Sequence, residues 1–324
     1  MSLVTNTITR YDGSRAVRED LSNTIYNIAP TETPAIANFG RDTAKSTLFE
    51  WQTDALAAAA NVPVIEGDDM AGVTDVRAPT ARVNNFTQIN RKIVTASGTI
   101  EAVDKAGMKS YLSYELSKAS AEMKRDMEVA VTGIQIGAVG SNSVARKTAG
   151  LGAFIVTNCL VGATGTVPTY SAANLNGSPS APLTGGTPRA FTEVLFKAAQ
   201  EAVWQQGGDP KMALMNASQK KVFSTFPGIA TRYRDVPSGK QAEIIAAADT
   251  FVGDFGETSA VPDRFMPTDL VYVGDPEYVS LAWLRPMSTE QLARTMDGQK
   301  RAIIGEWGLR VKSQASWATI AGLT

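Results

Sequence analysis

The sequence predicts an α+β fold, and three patterns carry that prediction. A long helical run without proline occupies residues 108–139, and from residue 192 onward short apolar segments alternate with helical ones. Near the end of the chain, Trp307, Leu309 and Val311 alternate with polar residues, which is the period of a strand with one buried face. Helices layered against a sheet accommodate all three patterns.

The run 108–139 is the most regular feature of the chain. Its apolar residues recur at steps of three or four: Leu112, Leu116, Ala119, Met123, Met127, Ala130 and Ile134. This spacing places them on one stripe of a helix. A second stripe carries charges of alternating sign: Glu115, Lys118, Glu122 and Arg125. Neighbouring charges on such a stripe can pair. We call this predicted strut the spine helix.

Residues 1–45 predict an N-terminal arm. The arm is polar, and its prolines push the preceding residues into extended conformations. Pro34 followed a few residues later by Gly40 predicts one short helix inside it. Because the arm has too little apolar content to fold alone, we expect it to lie on a neighbouring copy of the chain.

Residues 46–98 predict an extended β-hairpin. Residues 47–53 and 83–100 have the β-branched and aromatic content of strands, and a long excursion rich in Ala, Pro and Gly joins them. Isolated two-stranded hairpins are marginal in water. A hairpin of this length is explained most simply if it rests on another copy, although an ordinary solvated hairpin remains the alternative.

Charge along the excursion is lopsided, with acidic residues first and basic residues after them. We therefore predict that oppositely charged parts of the hairpin and the spine helix contact neighbouring copies. The predicted interface residues are Glu66, Asp68, Asp69, Asp75, Arg77, Arg82, Glu122 and Arg125.

The next part of the chain predicts a first domain at residues 99–161, which contains the spine helix and a buried strand at Phe154–Val161. Residues 162–187 are rich in Gly, Ser, Thr, Pro and Asn and carry almost no charge. They predict a surface loop or a small insertion.

Residues 188–287 predict a second compact domain. A helix follows Thr192 and stops at two glycines, and another helix at Ala217–Phe223 follows a short apolar strand. The last part, residues 288–324, is predicted to return to the first domain through a closing strand at 299–317 with one apolar face and one wet face.

Composition excludes several classes of function. The chain has no histidine, so Ser-His and Cys-His catalytic pairs and histidine metal sites are ruled out. Its single cysteine, Cys159, lies in an apolar run and is expected to be a small buried hydrophobic residue. The net charge of −1 does not suit a protein that coats nucleic acid. No apolar run is long enough to predict a membrane span.

One enzymatic alternative rests on four carboxylates that cluster in sequence: Asp254, Glu257, Asp263 and Asp269. Their spacing matches no metal-binding loop, and aspartate is common in turns. We therefore predict no catalytic, cofactor-binding or metal-binding residues.

Ten short segments, in this order and spacing, together resemble the tailed-phage major capsid proteins with the Hong Kong-97-type shell fold. They are Leu21–Pro34, Phe49–Asp54, Val94–Thr99, Lys124–Glu128, Ala149–Phe154, Gly207–Pro210, Ser218–Phe223, Val252–Gly256, Pro262–Pro267 and Leu284–Pro286. The resemblance implies an N-terminal arm, an extended loop, a peripheral domain with a spine helix, and an axial domain near the capsomer axis. These parts correspond to the arm 1–45, the hairpin 46–98, the spine helix 108–139, the body 188–287 and the closing strand 299–317.

The resemblance also implies a function. The chain would form pentamers and hexamers of a virion shell, assembled in the host cytoplasm around double-stranded DNA, with scaffold, portal or decoration proteins as further partners and no membrane. Some members of the family cross-link neighbouring copies through a lysine of the extended loop. No lysine lies between Lys45 and Lys92, so that cross-link is not expected. The shell of a cellular nanocompartment that encloses a cargo enzyme is the alternative function.

Overall fold

The computed structural model describes residues 31–61, 63–67, 79–105, 107–172, 175–226 and 250–324. The described helices are α1 Pro34–Asn38, α2 Gly98–Ala102, α3 Tyr111–Thr132, α4 Leu151–Phe154, α5 Glu193–Gln205 and α6 Ala217–Phe223. The described strands are β1 Gly40–Thr43, β2 Leu48–Thr53, β3 Ala81–Phe86, β4 Gln88–Ser97, β5 Cys159–Leu160, β6 Thr169–Tyr170, β7 Pro179–Ala181, β8 Met212–Met215, β9 Thr250–Gly253, β10 Gly256–Pro262, β11 Leu270–Gly274, β12 Val279–Gln291, β13 Gly298–Val311 and β14 Trp317–Ala321. Mixed helices and sheets confirm the predicted α+β class.

The spine helix is α3, and it is shorter at both ends than the predicted 108–139. Ser110 caps its start, since the Ser110 side chain accepts the Ser113 N–H. At the other end Gly133 is extended, with φ −72° and ψ 170°, and Gln135 Nε2 donates to the Ala130 carbonyl at 2.5 Å. The Gln135 amide thus satisfies one of the carbonyl groups that lack a helical partner at this end, and the backbone leaves the helix there.

A four-stranded sheet lies against the spine helix, in the order β1-β12-β13-β4. One apolar cluster joins them, in which Leu112, Ala119 and Met123 of the helix pack on Val94 and Ile303 of the sheet. The predicted apolar stripe of the helix is therefore the face that is buried. At about 1.5–3 kcal/mol for each fully buried large side chain, this contact is a major source of the domain's stability.

A second, six-stranded sheet has the order β5-β14-β11-β8-β10-β9. Helices α5 and α6 pack on it through aromatic side chains, and the Phe196 ring lies 5.2 Å, centroid to centroid, from both Phe223 and Phe251 in edge-on contacts. Asn216 caps α6 by accepting the Ser218 N–H.

The closing strand departs from its prediction. Strand β13 ends at Val311, a short 3-10 turn follows at Gln314–Ser316, and the chain then crosses into the six-stranded sheet as β14. The predicted wet face is only partly exposed, because Lys312 is exposed while Glu306 and Ser316 are buried. Strand β13 lies between β12 and β4, and Arg146 and Arg285 pair with Glu306.

Of the predicted buried strand at Phe154–Val161, only Cys159–Leu160 form a strand, β5, while Phe154 ends the one-turn helix α4 and residues 155–158 belong to no helix or strand. Gly152 in α4 lies close to its neighbours. A Cβ on Gly152 would lie 2.5 Å from the Tyr272 hydroxyl and 2.9 Å from Ile134. The backbone therefore approaches its neighbours more closely than a side chain on every residue would allow.

The described part of the arm does not need a neighbouring copy for its burial. Helix α1 forms as predicted, but Ala35 and Phe39 are buried within the chain's own core, and the Phe39 ring contacts Trp317 edge-on at 5.7 Å. Strand β1 pairs in parallel with β12. Residues 33–43 thus pack on the chain's own body, whereas contact of the arm with a neighbouring copy stays a prediction, and residues 1–30 lie outside the described part.

The extended hairpin is also divided differently from the prediction. Strand β2 pairs with β3 over residues 48–53 and 81–86, whereas β4 leaves the hairpin and pairs with β13. The predicted single strand 83–100 is thus two strands separated by Thr87.

The division into six domains that the sequence suggests stays a prediction, although β5 and β14 share one sheet with the strands of the predicted second domain, residues 188–287.

A glycine in β13 permits the hairpin to lie on the sheet, and its substitution tests this packing. We expect Gly308→Ala to lower the free energy of unfolding by about 1–3 kcal/mol, because a new Cβ would overpack the contact with Phe49. An ideal Cβ there would lie 2.5 Å from Phe49 Cε1. Denaturant unfolding monitored by tryptophan fluorescence measures the change.

The matched control is Gly40→Ala in β1 of the same sheet. A Cβ at Gly40 would meet its nearest atoms at 3.5 Å, an ordinary contact. Equal stability of the two variants would contradict the close approach at Gly308.

Candidate assembly surface

The extended loop, residues 54–80, is held at its base by a buried carboxylate. Glu306 of β13 accepts from Arg146 Nη2 at 2.6 Å, from Arg285 Nε at 2.9 Å and from the Thr87 hydroxyl at 2.8 Å. The Glu306 side chain is only 5% exposed, so water screens these charges poorly. We call these four residues the base cluster. Thr87 is the residue between β3 and β4, so the cluster fixes the point where the chain enters the sheet.

A buried amide reinforces the same point. Asn85 Nδ2 donates to the Leu309 carbonyl at 2.7 Å and to the Thr148 hydroxyl at 3.0 Å, while Asn85 Oδ1 accepts the Ala149 N–H at 2.9 Å. Asn85 is fully buried. Its polar atoms therefore bind strand β3 both to β13 and to the segment after the spine helix.

Aromatic residues of β2 complete the base. Phe49 and Trp51 stack with ring centroids 5.9 Å apart, and Trp51 lies a further 5.9 Å from Phe154. The Arg310 guanidinium lies 5.6 Å from the Phe49 centroid and donates to the carboxylate of Asp42 in β1. Arm, loop and sheet thus meet around Arg310.

The segment 162–187, predicted to be a loop or an insertion, braces the hairpin. The Gly177 N–H donates to the Arg82 carbonyl at 2.7 Å, and the Asn84 N–H donates to the Gly177 carbonyl at 3.1 Å. Asn176 Oδ1 accepts the Arg82 N–H at 2.5 Å. These bonds add a short third segment to the two-stranded hairpin, which makes its base stiffer than an isolated pair of strands.

Beyond this stiff base, residues 54–61 and 63–67 contain no helix or strand and carry exposed apolar side chains. Leu56 is 99% exposed, Val64 70% and Ile65 82%. A single exposed aliphatic residue is ordinary, but three on one projecting segment are a candidate contact surface.

An apolar groove lies elsewhere on the same chain. It has a volume of about 730 Å³ and runs between the arm, the spine helix and β12. Its apolar lining includes Ile36, Met127, Trp283, Pro286 and Met287. We call it the arm–spine groove.

The predicted interface residues are placed as follows. Glu66 is exposed beside Ile65. Arg82 lies on β3, where its guanidinium is 3.5 Å from the Glu50 carboxylate. Glu122 and Arg125 lie half-buried on the spine helix. Arg125 lies over the Phe265 ring at 5.2 Å. Asp68, Asp69, Asp75 and Arg77 lie outside the described residues. Contacts of all eight with another copy stay a prediction.

The base cluster and the exposed aliphatic side chains were not among the predicted site residues. The aliphatic signal was present, since Val64 and Ile65 lie in an excursion rich in Ala, Pro and Gly that has few other large apolar residues. The base cluster had no local signal, because Arg146, Arg285 and Glu306 are far apart in sequence.

The carboxylates of the enzymatic alternative do not converge. Asp254, Glu257 and Asp269 are exposed while Asp263 is buried, and across the described ranges no three His, Cys, Asp or Glu side chains could together hold a metal ion. Burial raises the pKa of the Cys159 thiol to about 12, which disfavours the thiolate. None of the described helices is long and apolar enough to cross a membrane.

Comparison with known proteins identifies the family. The model of the family described as SU10 major capsid protein matches residues 3–324. The chain belongs to the SU10 major capsid protein family. A major capsid protein is a structural component of the virion, and many copies of it form the shell of a tailed phage.

Relatives of this major capsid protein agree in sequence and in fold. The major capsid protein of Escherichia phage Phieco32 is 26% identical over 336 residues, a match that covers 89% of each chain. The capsid of cyanophage A-1(L) has a TM-score of 0.71 at 11% identity and covers 98% of this chain and 100% of its own. The capsid of a native GTA particle has a TM-score of 0.62 at 13% identity, and the match covers 99% of this chain and 100% of the GTA chain.

The two structural likenesses show a shared capsid fold, as the Hong Kong-97-type resemblance implied. The family and the curated relative are phage capsid proteins by name, so the comparisons favour the phage shell over the nanocompartment.

Removal of the buried charge tests the base cluster in this major capsid protein. We expect Glu306→Gln to lower the free energy of unfolding by about 1–2 kcal/mol, because the charge-assisted hydrogen bonds from the partly exposed Arg146 and Arg285 become neutral ones. Thermal and denaturant unfolding of the purified chain measure the loss.

The control is Asp297→Asn, which removes the carboxylate of an exposed pair with Arg294. Exposed pairs contribute little, so its stability should match that of the native chain. A Glu306→Gln chain as stable as this control would contradict the role of the base cluster.

Proposed function

We propose that this major capsid protein assembles as pentamers and hexamers into an icosahedral shell that encloses the double-stranded DNA of a tailed phage. The observation that supports the proposal best is the contrast within the extended loop. Its base is braced by the chain's own body, and its described outer part presents Leu56, Val64 and Ile65 to solvent.

Burial of these three side chains on a neighbouring copy would stabilise each contact. Each large aliphatic side chain contributes about 1.5–3 kcal/mol when it is fully buried. The same contact repeats for every copy in a closed shell, so weak individual contacts act together. The arm–spine groove of a neighbour is an apolar surface that such a loop could cover.

Charged residues would then set the register of the contact rather than its strength. Exposed ion pairs are individually worth about 0–1 kcal/mol, but wrong juxtapositions of like charge are disfavoured. In this proposal Glu66, Asp68, Asp69, Asp75 and Glu122 of one copy face basic residues of another, while Arg77, Arg82 and Arg125 face acidic ones.

The enclosed DNA would be held without sequence readout. Sequence readout requires side chains that enter a groove of the duplex, and the near-neutral net charge of −1 does not favour tight coating of phosphates. Scaffold, portal and decoration proteins are further proposed partners. We also propose that the chain acts without catalysis.

The exposed loop residues provide the test. We expect the double substitution Val64→Ser and Ile65→Ser to leave the subunit folded, because both side chains are exposed. Closed shells should be lost, because the buried apolar contact between copies would be replaced by hydroxyl groups without assured partners. Sedimentation velocity and negative-stain microscopy of the expressed chain measure assembly, and circular dichroism measures folding.

The control is Ile65→Val, which keeps an aliphatic side chain at the same position and should assemble as the native chain does. Normal shells from the double serine variant would contradict the proposed contact.

A further inference from the structure

Two buried carboxyl groups meet where the arm, the spine helix and the six-stranded sheet come together. Glu128 lies in the spine helix α3 and is fully buried. Asp263 directly follows β10 and is also buried. The two carboxyl groups lie close enough for each to shift the pKa of the other. Neither belongs to the base cluster or to the exposed loop.

Glu128 fastens the arm to the spine helix. Its Oε1 accepts the Ala35 N–H at 2.6 Å, and its Oε2 accepts the Ile36 N–H at 3.0 Å. Both N–H groups belong to the first turn of α1, where the backbone lacks helical acceptors. Ala35 is itself fully buried, so water cannot replace Glu128 while the arm stays in place.

Asp263 fastens the turn after β10. Its N–H donates to the Met215 carbonyl at 2.8 Å, and its Oδ1 accepts the Phe265 N–H at 2.9 Å. Its Oδ2 is buried, and no N–H or hydroxyl group in the described ranges donates to it. The neighbouring group is the Glu128 carboxyl, which is an acceptor when ionised. A hydrogen bond between the two groups therefore requires a proton on one of them.

No cation neutralises this pair in the described part of the chain. Helix α1 contributes no charged side chain. Arg125, one turn away on the spine helix, lies over the Phe265 ring, and Lys124 and Arg264 are exposed. None of these three forms an ion pair with Glu128 or Asp263 among the described residues. A proton is therefore the remaining means of avoiding two adjacent buried negative charges.

We propose that Glu128 and Asp263 share one proton and form a latch that fastens residues 31–45 and the turn at 263–266 to the spine helix. Loss of this proton places two like charges side by side in a buried site and releases the latch. The arm and the spine helix line the arm–spine groove, and the turn at 263–266 follows a strand of the six-stranded sheet. Release of the latch would therefore change the position of the arm at the groove.

Burial, the largest cause, raises the pKa of Glu128 to about 7, and the Asp263 charge raises it further, against the two backbone hydrogen bonds that lower it. Burial likewise raises the pKa of Asp263. A carboxyl whose folded pKa is raised binds more protons in the folded state than in the unfolded state. The latched state is therefore favoured at low pH, weakens as pH rises from the ordinary value of 4.5, and has lost this contribution above about pH 7.

Amide hydrogen exchange of the full-length chain tests the latch directly. We expect protection of Ala35 and Ile36, corrected for the intrinsic exchange rate, to fall at least about tenfold between about pH 5.5 and about pH 8.5. Glu128→Gln should abolish this pH dependence, because a Gln side chain does not ionise and its Nε2 can donate to Asp263 Oδ2. Its single oxygen keeps one of the two hydrogen bonds to the arm, so protection should be lower than in the native chain at low pH but independent of pH. Glu115→Gln on the same helix is the matched control, because Glu115 pairs only with its helical neighbour Lys118 among the described residues, and it should show the pH dependence of the native chain.

Asp263→Asn provides a second variant in case Glu128→Gln does not fold. Removal of the Asp263 charge should move the midpoint of the protection change to lower pH, since one cause of the raised Glu128 pKa is gone. Protection independent of pH in the native chain, an unchanged pH dependence in Glu128→Gln, or an unmoved midpoint in Asp263→Asn would each overturn the latch.

Discussion

The structure depends on how the extended loop is anchored at its base. Three polar interactions converge there: the Glu306 carboxylate with its two arginines, the buried Asn85 amide, and the Arg310 guanidinium over the rings of β2. All three link the hairpin to β13 of the four-stranded sheet. Buried polar groups are costly unless they are satisfied, so these contacts permit one arrangement of hairpin and sheet. The direction in which the loop leaves the body follows from them.

A stiff base gives meaning to the exposed outer part. A loop that could fold back would bury Leu56, Val64 and Ile65 on its own chain, whereas a loop held away from the body leaves them in water. These exposed side chains give no hydrophobic stabilisation to a single copy. Their burial between two copies would stabilise the contact. The same anchoring thus makes the single chain incomplete and the assembly favourable. The family of the chain, a phage major capsid protein, fits this division of roles.

Sequence reasoning succeeded where one local pattern decided the structure. The period of the spine helix, the helix at Ala217–Phe223 and the short arm helix after Pro34 are such cases. It failed where distant residues decided it. Glu306 has the position in the alternation that predicts exposure to water. It is buried because it pairs with Arg146, which lies 160 residues earlier in the sequence. The break at Thr87 and the crossing after Val311 likewise depend on which sheet each strand joins, which periodicity alone does not specify. The aliphatic residues of the loop were visible, but only the structure gave their exposure.

Electron cryo-microscopy of particles assembled from the purified full-length chain tests the central claim most directly. The account predicts closed shells in which Leu56, Val64 and Ile65 of each copy are buried on a neighbouring copy, while the Glu306 ion pairs at the loop base are unchanged from the single chain. Shells in which these three side chains remain in solvent, or in which the loop folds onto its own body, would contradict it.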